Sequence, residues 1–380
     1  MKFLIKQTVT AVFCFSAFLL SQVHAENGVT ENQILLGQSG NFSGGYNSAT
    51  YRHGALLYFD YINRNGGVHG RKIKMLLADD ENKPEKVIVT TRKFLNEDKV
   101  FLLFGYMSTP VVKAAIPLAV EQKTPFFAPY TGAEEFYANH SRYVFTTRAS
   151  FGDELEHIVR FLSSTGLTRI AMASYDNKTG DELIENFKTR LAERKLKLLG
   201  VGKMKIYSKD AVAAVKSLKA LNAEAILLGP TALDAAALIR EMDKEGVPRP
   251  FYFGRSLINA QQLKDNLGPL AQGVAITQTA PNPYKAIAIV AKEYKKLLQE
   301  NDPQKEPEYL GLEGFIAAKT LVEGIRRTGP KLSREKLIDA LDAMNDYDMG
   351  GYLIRFNKNK HHGAHYVDLT YIGKGGRIFD

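Results

Sequence analysis

Short apolar runs alternate with longer amphipathic stretches along most of this chain. Residues 34–37 read as a strand ending in a glycine turn, and 48–63 as a helix closed by Gly66-Gly67. Residues 72–78 form the next predicted strand, with Asp79-Asp80 at its end. Pro84 suits the first turn of the following helix, where its missing N–H is not needed. Strands at 100–104 and 125–128 flank a helical pattern at 111–122, with Pro117 as an expected kink. The rhythm then restarts. Strands at 169–174, 198–204, 225–229 and 251–254 alternate with helices at 181–195, 212–221 and 233–245. Such alternation predicts α/β architecture, with parallel sheets covered by helices on both faces. Its double occurrence predicts two similar lobes.

The tail breaks the pattern. Residues 309–327 and 334–344 read as helices, and 352–356 and 366–372 as strands around a turn-rich 357–363. Helices followed by a terminal hairpin do not make a third lobe, so the tail is expected to complete the first two.

The N-terminal segment changes the expected compartment. Lys2 and Lys6 precede an apolar run at 9–20, and Val23-His24-Ala25 supplies small or medium residues at a cleavage position. This is the order of a secretory signal peptide, expected to occupy 1–25. A membrane span needs about 20 predominantly apolar residues, more than this run provides. A lipoprotein would need cysteine after the cleavage point, where Glu26 stands. The one cysteine, Cys14, lies within the leader, so the mature chain is expected to lack disulfides and a cysteine nucleophile. Removing Lys2 and Lys6 lowers the formal charge from +9 to +7. That excess is spread along the chain without a basic block, so nucleic acid is not expected. No further long apolar segment follows, so membrane insertion is not expected either.

In open parallel sheets, ligands bind beyond the carboxyl ends of the strands, where helix N-termini favour anions. The loops at those ends are 39–47, 105–110 and 130–133 in the first half, and 175–180, 230–232 and 255–257 in the second. They share Ser, Thr and Gly with interspersed tyrosine. Ser39 starts the first. Tyr46, Tyr106, Tyr130 and Tyr175 are candidate walls. Arg255, in the last loop, is a further candidate ligand contact. Any one such loop is ordinary turn chemistry; six at equivalent strand ends point to a site.

Catalytic patterns are missing. Ser39 lies in Gly-Gln-Ser-Gly, without the spacing of a nucleophile elbow. Neither a phosphate loop nor a dinucleotide fingerprint occurs, and no cofactor is expected. Asp79 and Asp80 point to opposite strand faces and are expected to serve structural or hinge-side hydrogen bonds. Glu134-Glu135 reads as a helix-start pair. His361, His362 and His365 cluster in a Lys/Asn-rich turn, which reads as a solvated hairpin and not a metal site.

The segment GALLYFDYINRNGGVHG at 54–70 resembles the type I periplasmic binding proteins of branched-chain amino-acid transport. KIKMLLADDENKPEK, FGYMSTP and FFAPYTGAEEF resemble that family's second strand and two ligand loops. The likeness runs from about residue 34 to the C-terminus. It implies two Rossmann-like lobes joined by a three-crossing hinge, near 146–149, 275–279 and 351–355. Lobe one is expected to hold 26–147 and 279–352, and lobe two 148–278 and 353–380.

The resemblance also carries site residues. The serine that binds a ligand carboxylate falls at Ser108 or Thr109, and the loop of backbone and hydroxyl contacts at Tyr130, Thr131 and Gly132. A family tyrosine is replaced by Thr179, and a later pocket aromatic falls at Thr231 or Ala232. The acid that pairs with the ligand's ammonium falls at Ser256, a departure. If an ammonium is bound, Asp176 or Asp181 becomes the candidate acid.

The expected function is therefore a periplasmic, monomeric receptor that closes on a small polar molecule and docks on an inner-membrane ABC permease. A small carboxylate or amide, aromatic ones included, ranks ahead of leucine, isoleucine or valine. A sensory receptor of the same fold is the alternative, and an exported enzyme ranks below both.

Overall fold

The computed structural model describes residues 26–43 and 48–380; the expected leader at 1–25 and Tyr46 lie outside them. The first sheet holds β1 (Gln33–Gly40), β2 (Lys72–Asp79), β3 (Leu102–Phe104), β4 (Phe126–Phe127) and β5 (Val144–Phe145). Their spatial order is β2-β1-β3-β4-β5, and every pairing is parallel. Helices α1 (Ala49–Arg64), α2 (Pro84–Asn96), α3 (Thr109–Glu121) and α4 (Glu134–Ala138) connect them.

After β5 the chain crosses to a second layer system through α5 (Phe151–Thr165). The next strands are β6 (Ile170–Tyr175), β7 (Leu198–Met204), β8 (Ala225–Leu228), β9 (Phe251–Gly254) and β10 (Ala275–Gln278). Between them lie α6 (Lys178–Glu193), α7 (Val212–Lys219), α8 (Ala232–Lys244) and α9 (Ala260–Leu267). Then α10 (Ile289–Asn301), α11 (Tyr309–Arg327) and α12 (Arg334–Asp342) return to the first system. A short hairpin follows, β11 (Tyr347–Asp348) with β12 (Leu353–Ile354). The last strands, β13 (Asp368–Ile372) and β14 (Ile378–Phe379), extend the second sheet antiparallel, giving β14-β13-β10-β9-β8-β6-β7.

Helices on both faces explain the apolar strands. In β1, Ile34 and Leu36 pack with Tyr51 and Ala55 of α1, while Leu35 faces Val87 and Phe94 of α2. In β6, Ala171 and Ala173 pack toward α8, whereas Ile170 and Met172 face Leu155, Ile158 and Phe187. Each large apolar side chain so buried contributes roughly 1.5–3 kcal/mol. Helices α1 and α11 meet backbone to backbone through glycines. A Cβ on Gly54 would stand 1.8 Å from Gly311 O, and one on Gly314 1.9 Å from Tyr51 O.

Local signals fix several boundaries. Ser150 caps α5 by accepting from Asp153 N at 2.9 Å, and Asp153 accepts from Ser150 N in return. Pro84 opens α2 as expected. Pro117 lies inside α3, which runs on through it.

The tail departs from its expected form. Residues 352–356 and 366–372 do not pair as a hairpin. Ile354, Phe356 and Ala364 bury in the core of the first lobe, with Phe356 edge-on to Phe145 at 5.3 Å. Thr146 and residues 361–363 also exchange backbone hydrogen bonds along the first sheet's edge. The chain therefore rejoins the second sheet only at β13, beyond the expected crossing near 351–355. Packing of Phe356 decides this, and alternation alone could not.

The histidine turn differs too. His361 is 2 % exposed, stacked on Phe145 at 3.8 Å and bonded to Asp342 at 2.7 Å. His362 stacks on Tyr137. Only His365 is solvated, so the hairpin reading holds for that residue alone. Among the described residues no cluster of three His, Cys, Asp or Glu could hold a metal. Among them, too, no helix is long and apolar enough to cross a membrane.

Candidate functional site

A cleft of about 380 Å³ opens between the two lobes at the carboxyl ends of both sheets. Thr50, Met107, Tyr130 and Glu313 line it from the first lobe, and Thr231, Ser256, Leu257 and Gln278 from the second. At its back stands a buried ionic cluster. Arg148, in the first crossing, donates from Nε to Glu313 Oε2 at 3.1 Å. Its Nη2 donates to Ser256 Oγ at 2.7 Å and to Thr279 Oγ1 at 3.2 Å. The guanidinium lies over the Tyr130 ring, 4.4 Å from its centroid. Tyr130 in turn donates to Glu313 Oε1 at 3.3 Å. Burial opposes the charge on Arg148, yet Glu313, Tyr130 and Glu154 together hold its pKa well above the ordinary guanidinium value.

Glu154 supplies the second carboxylate. It accepts from Ser256 N at 2.7 Å, from Ser256 Oγ at 2.9 Å and from Thr277 Oγ1 at 2.5 Å. Arg148 Nη2 lies 3.6 Å from it. One arginine thus joins a helix of each lobe, α11 and α5, through the hinge.

The periplasmic binding protein family matches residues 34–377. The chain belongs to that family. It is similar to a Leu/Ile/Val-binding protein homolog of Brucella abortus, 24 % identical over 322 residues, covering 83 % of this chain and 84 % of the relative. A substrate-binding periplasmic protein of Ralstonia solanacearum is 30 % identical with a TM-score of 0.82, covering 91 % of this chain and 99 % of that one. A fatty acid ABC transporter substrate-binding protein of Thermomonospora curvata superposes with a TM-score of 0.82 at 21 % identity, covering 93 % of each chain. The fold is the type I periplasmic binding fold of two α/β lobes, and the family is one of periplasmic solute receptors.

Within this periplasmic binding protein, Tyr130, Thr231 and Ser256 line the cleft. Thr131 shares a hydroxyl contact with Thr109 at 2.8 Å and accepts from Ala133 N. Gly132 O accepts from Phe151 N at 2.6 Å, so this loop touches the start of α5. A Cβ on Gly132 would stand 2.5 Å from the Phe151 ring. Ser108 precedes α3 with φ of 81°, a backbone region costly for a non-glycine residue. Its N–H donates to Tyr130 O at 3.2 Å, and its hydroxyl donates to Asn82, which commits that proton.

Tyr175 acts on the cleft indirectly. Its hydroxyl accepts from Thr231 N and donates to Asp234 Oδ2 at 2.8 Å, fixing the start of α8.

Three expected residues stand elsewhere. Tyr106 is fully buried on the far face, edge-on to Phe126 and bonded to Thr91. Adjacent side chains point opposite ways, so Met107 takes the cleft position instead. Ser39 is buried and donates to Asp80 Oδ2 at 2.8 Å, inside the loop that follows β2. Thr179 is exposed in the first turn of α6. Asp176 and Asp181 pair with Lys203 at the surface, so neither serves as a cleft acid. Asp79 and Asp80 accept local backbone bonds, as expected.

Sequence reading missed Arg148, Glu154, Thr277 and Glu313. A signal existed for three of them. Arg148 falls within an expected hinge crossing, Thr277 lies in another, 275–279, and Glu313 is an acid on the buried face of α11.

Proposed function

We propose that this protein is exported to the periplasm and closes its lobes around a small polar solute, which it delivers to an inner-membrane ABC permease. The cleft carries this reading, being lined from both lobes and backed by hydroxyls and charges. Its volume suits a molecule of amino-acid size or somewhat larger. The family supports a receptor role. The leader at 1–25 is the proposed export signal.

The ligand is proposed to be a small carboxylate or amide. Relatives named for branched-chain amino acids and for fatty acids have the carboxylate in common. Mass spectrometry of what co-purifies with the native protein identifies the ligand. Small-angle scattering then tests closure: the radius of gyration should fall at saturating ligand. An unchanged radius, or chemical conversion of the ligand in proportion to protein, would overturn the receptor reading.

A further inference from the structure

The buried charges of the cleft are unevenly shared. Arg148 has Glu313 at 3.1 Å, Glu154 at 3.6 Å and two hydroxyl acceptors. Both carboxylates are further committed, Glu154 to Ser256 and Thr277 and Glu313 to Tyr130. Arg255 is only 7 % exposed and has no ion pair or hydrogen bond from its side chain among the described residues. Its Nε is buried without an acceptor. Its guanidinium rests over the Phe151 ring, 4.5 Å from the centroid. Burial and the nearby Arg148 both push its pKa down, against the pull of Glu154.

A desolvated guanidinium without an anion is costly, and so is a desolvated ammonium without a carboxylate. This cleft resolves the two cases in opposite ways. The acids at its back already hold a cation that belongs to the protein. Arg148 Nη1 is also unpartnered, but Arg148 has two carboxylates beside it. The guanidinium without one belongs to Arg255, next to the cleft residue Ser256, over a ring that abuts Gly132 of the opposite lobe. The other acids lining the cleft are more solvated. Glu308 is half-buried beside Thr50, and Asp265 is exposed and bonded to Gln261. Water screens Asp265, so a ligand cation gains little there, and burial pushes the Glu308 carboxyl up toward its neutral form.

We propose that the ligand carries a carboxylate and no ammonium: Arg255 pairs with the carboxylate, while Arg148 occupies the place a ligand cation would need. This deepens the receptor reading and rests on it.

The test uses the full mature chain and matched probes that differ by one amino group. 4-Methylpentanoate is compared with leucine, 3-phenylpropanoate with phenylalanine, and glutarate with glutamate, by calorimetry and thermal shift. The acid of at least one pair should bind, and at least tenfold tighter than its amino twin. Arg255→Gln should weaken that acid by roughly 30-fold or more, the loss expected when one partner of a buried charge pair is removed. The same variant should unfold at a higher urea concentration than the parent without ligand, because an unpaired buried charge is gone. A merely structural arginine would shift the urea midpoint the other way. Tighter binding of an amino twin, failure of every acid to bind, or unchanged affinity in Arg255→Gln would overturn the proposal. If a co-purified neutral or amino ligand still shrinks the radius of gyration, the receptor reading stands and only this assignment falls.

Discussion

Arg148 and Glu313 meet at 3.1 Å across the hinge, the arginine from the first crossing and the glutamate from the second turn of a buried helix. Both side chains are less than a tenth exposed. Their pairing sets the charge of the cleft, and its loss leaves a carboxylate desolvated. Arg148→Met should therefore lower stability by about 3–5 kcal/mol in urea unfolding. Adding Glu313→Gln should recover part of that loss, because it removes the stranded charge. A single variant as stable as the parent would show that the pair is not desolvated.

The crossing of α1 and α11 offers a packing test. An added methyl at Gly54 or Gly314 meets a carbonyl oxygen closer than any van der Waals contact allows. The helices must separate, at a cost of about 1–3 kcal/mol or more. Helix propensity alone predicts the opposite, a gain of about 1 kcal/mol for Gly→Ala. Thermal unfolding of Gly54→Ala and Gly314→Ala decides between them, and a raised melting temperature would refute the close-contact account.

Gly132 marks the contact between the 130–133 loop and α5. Gly132→Ala should oppose this approach of the two lobes, because its Cβ meets Phe151. The expected outcome is weaker ligand binding and a larger radius of gyration in the liganded protein, with the unfolding midpoint changed less than in Gly54→Ala. Unaltered affinity would mean that the loop and α5 part freely.

Acid sensitivity follows from the half-buried His362. Burial lowers its pKa, against the effect of its bond to Tyr137 O. Between the lowered folded value and about 6.5, the unfolded chain binds more protons than the native one. This contribution is complete above that range and is lost as pH falls through it. His53 and His157 are lowered in the same direction. The melting temperature should fall from pH 7.5 to pH 5.5, and His362→Gln should fall less. Equal falls in parent and variant would remove His362 from the account.

Much of the architecture was legible because helix-covered parallel strands must be apolar on both faces. Runs such as ILL in β1 and AILL in β8 therefore stand out at their true positions. Strand ends, and so the loops of the cleft, followed from them. The tail was less legible. Residues 352–356 alternate like a sheet strand, but Phe356 finds its partner in Phe145, a contact that local pattern does not encode.

The sequence by itself determined the alternation of strands and helices, its double occurrence that makes two lobes, and the family likeness with its loop positions. Tertiary structure alone decided which of those loop residues reach the cleft and which charges meet there. Arg148 joins Ser256, Thr279 and Glu313 over separations of 108, 131 and 165 residues. Tyr106 turns inward while its neighbour Met107 faces the cleft. Side-chain direction at a strand end and pairing of distant charges depend on how the layers pack, and chain-local chemistry carries no record of either.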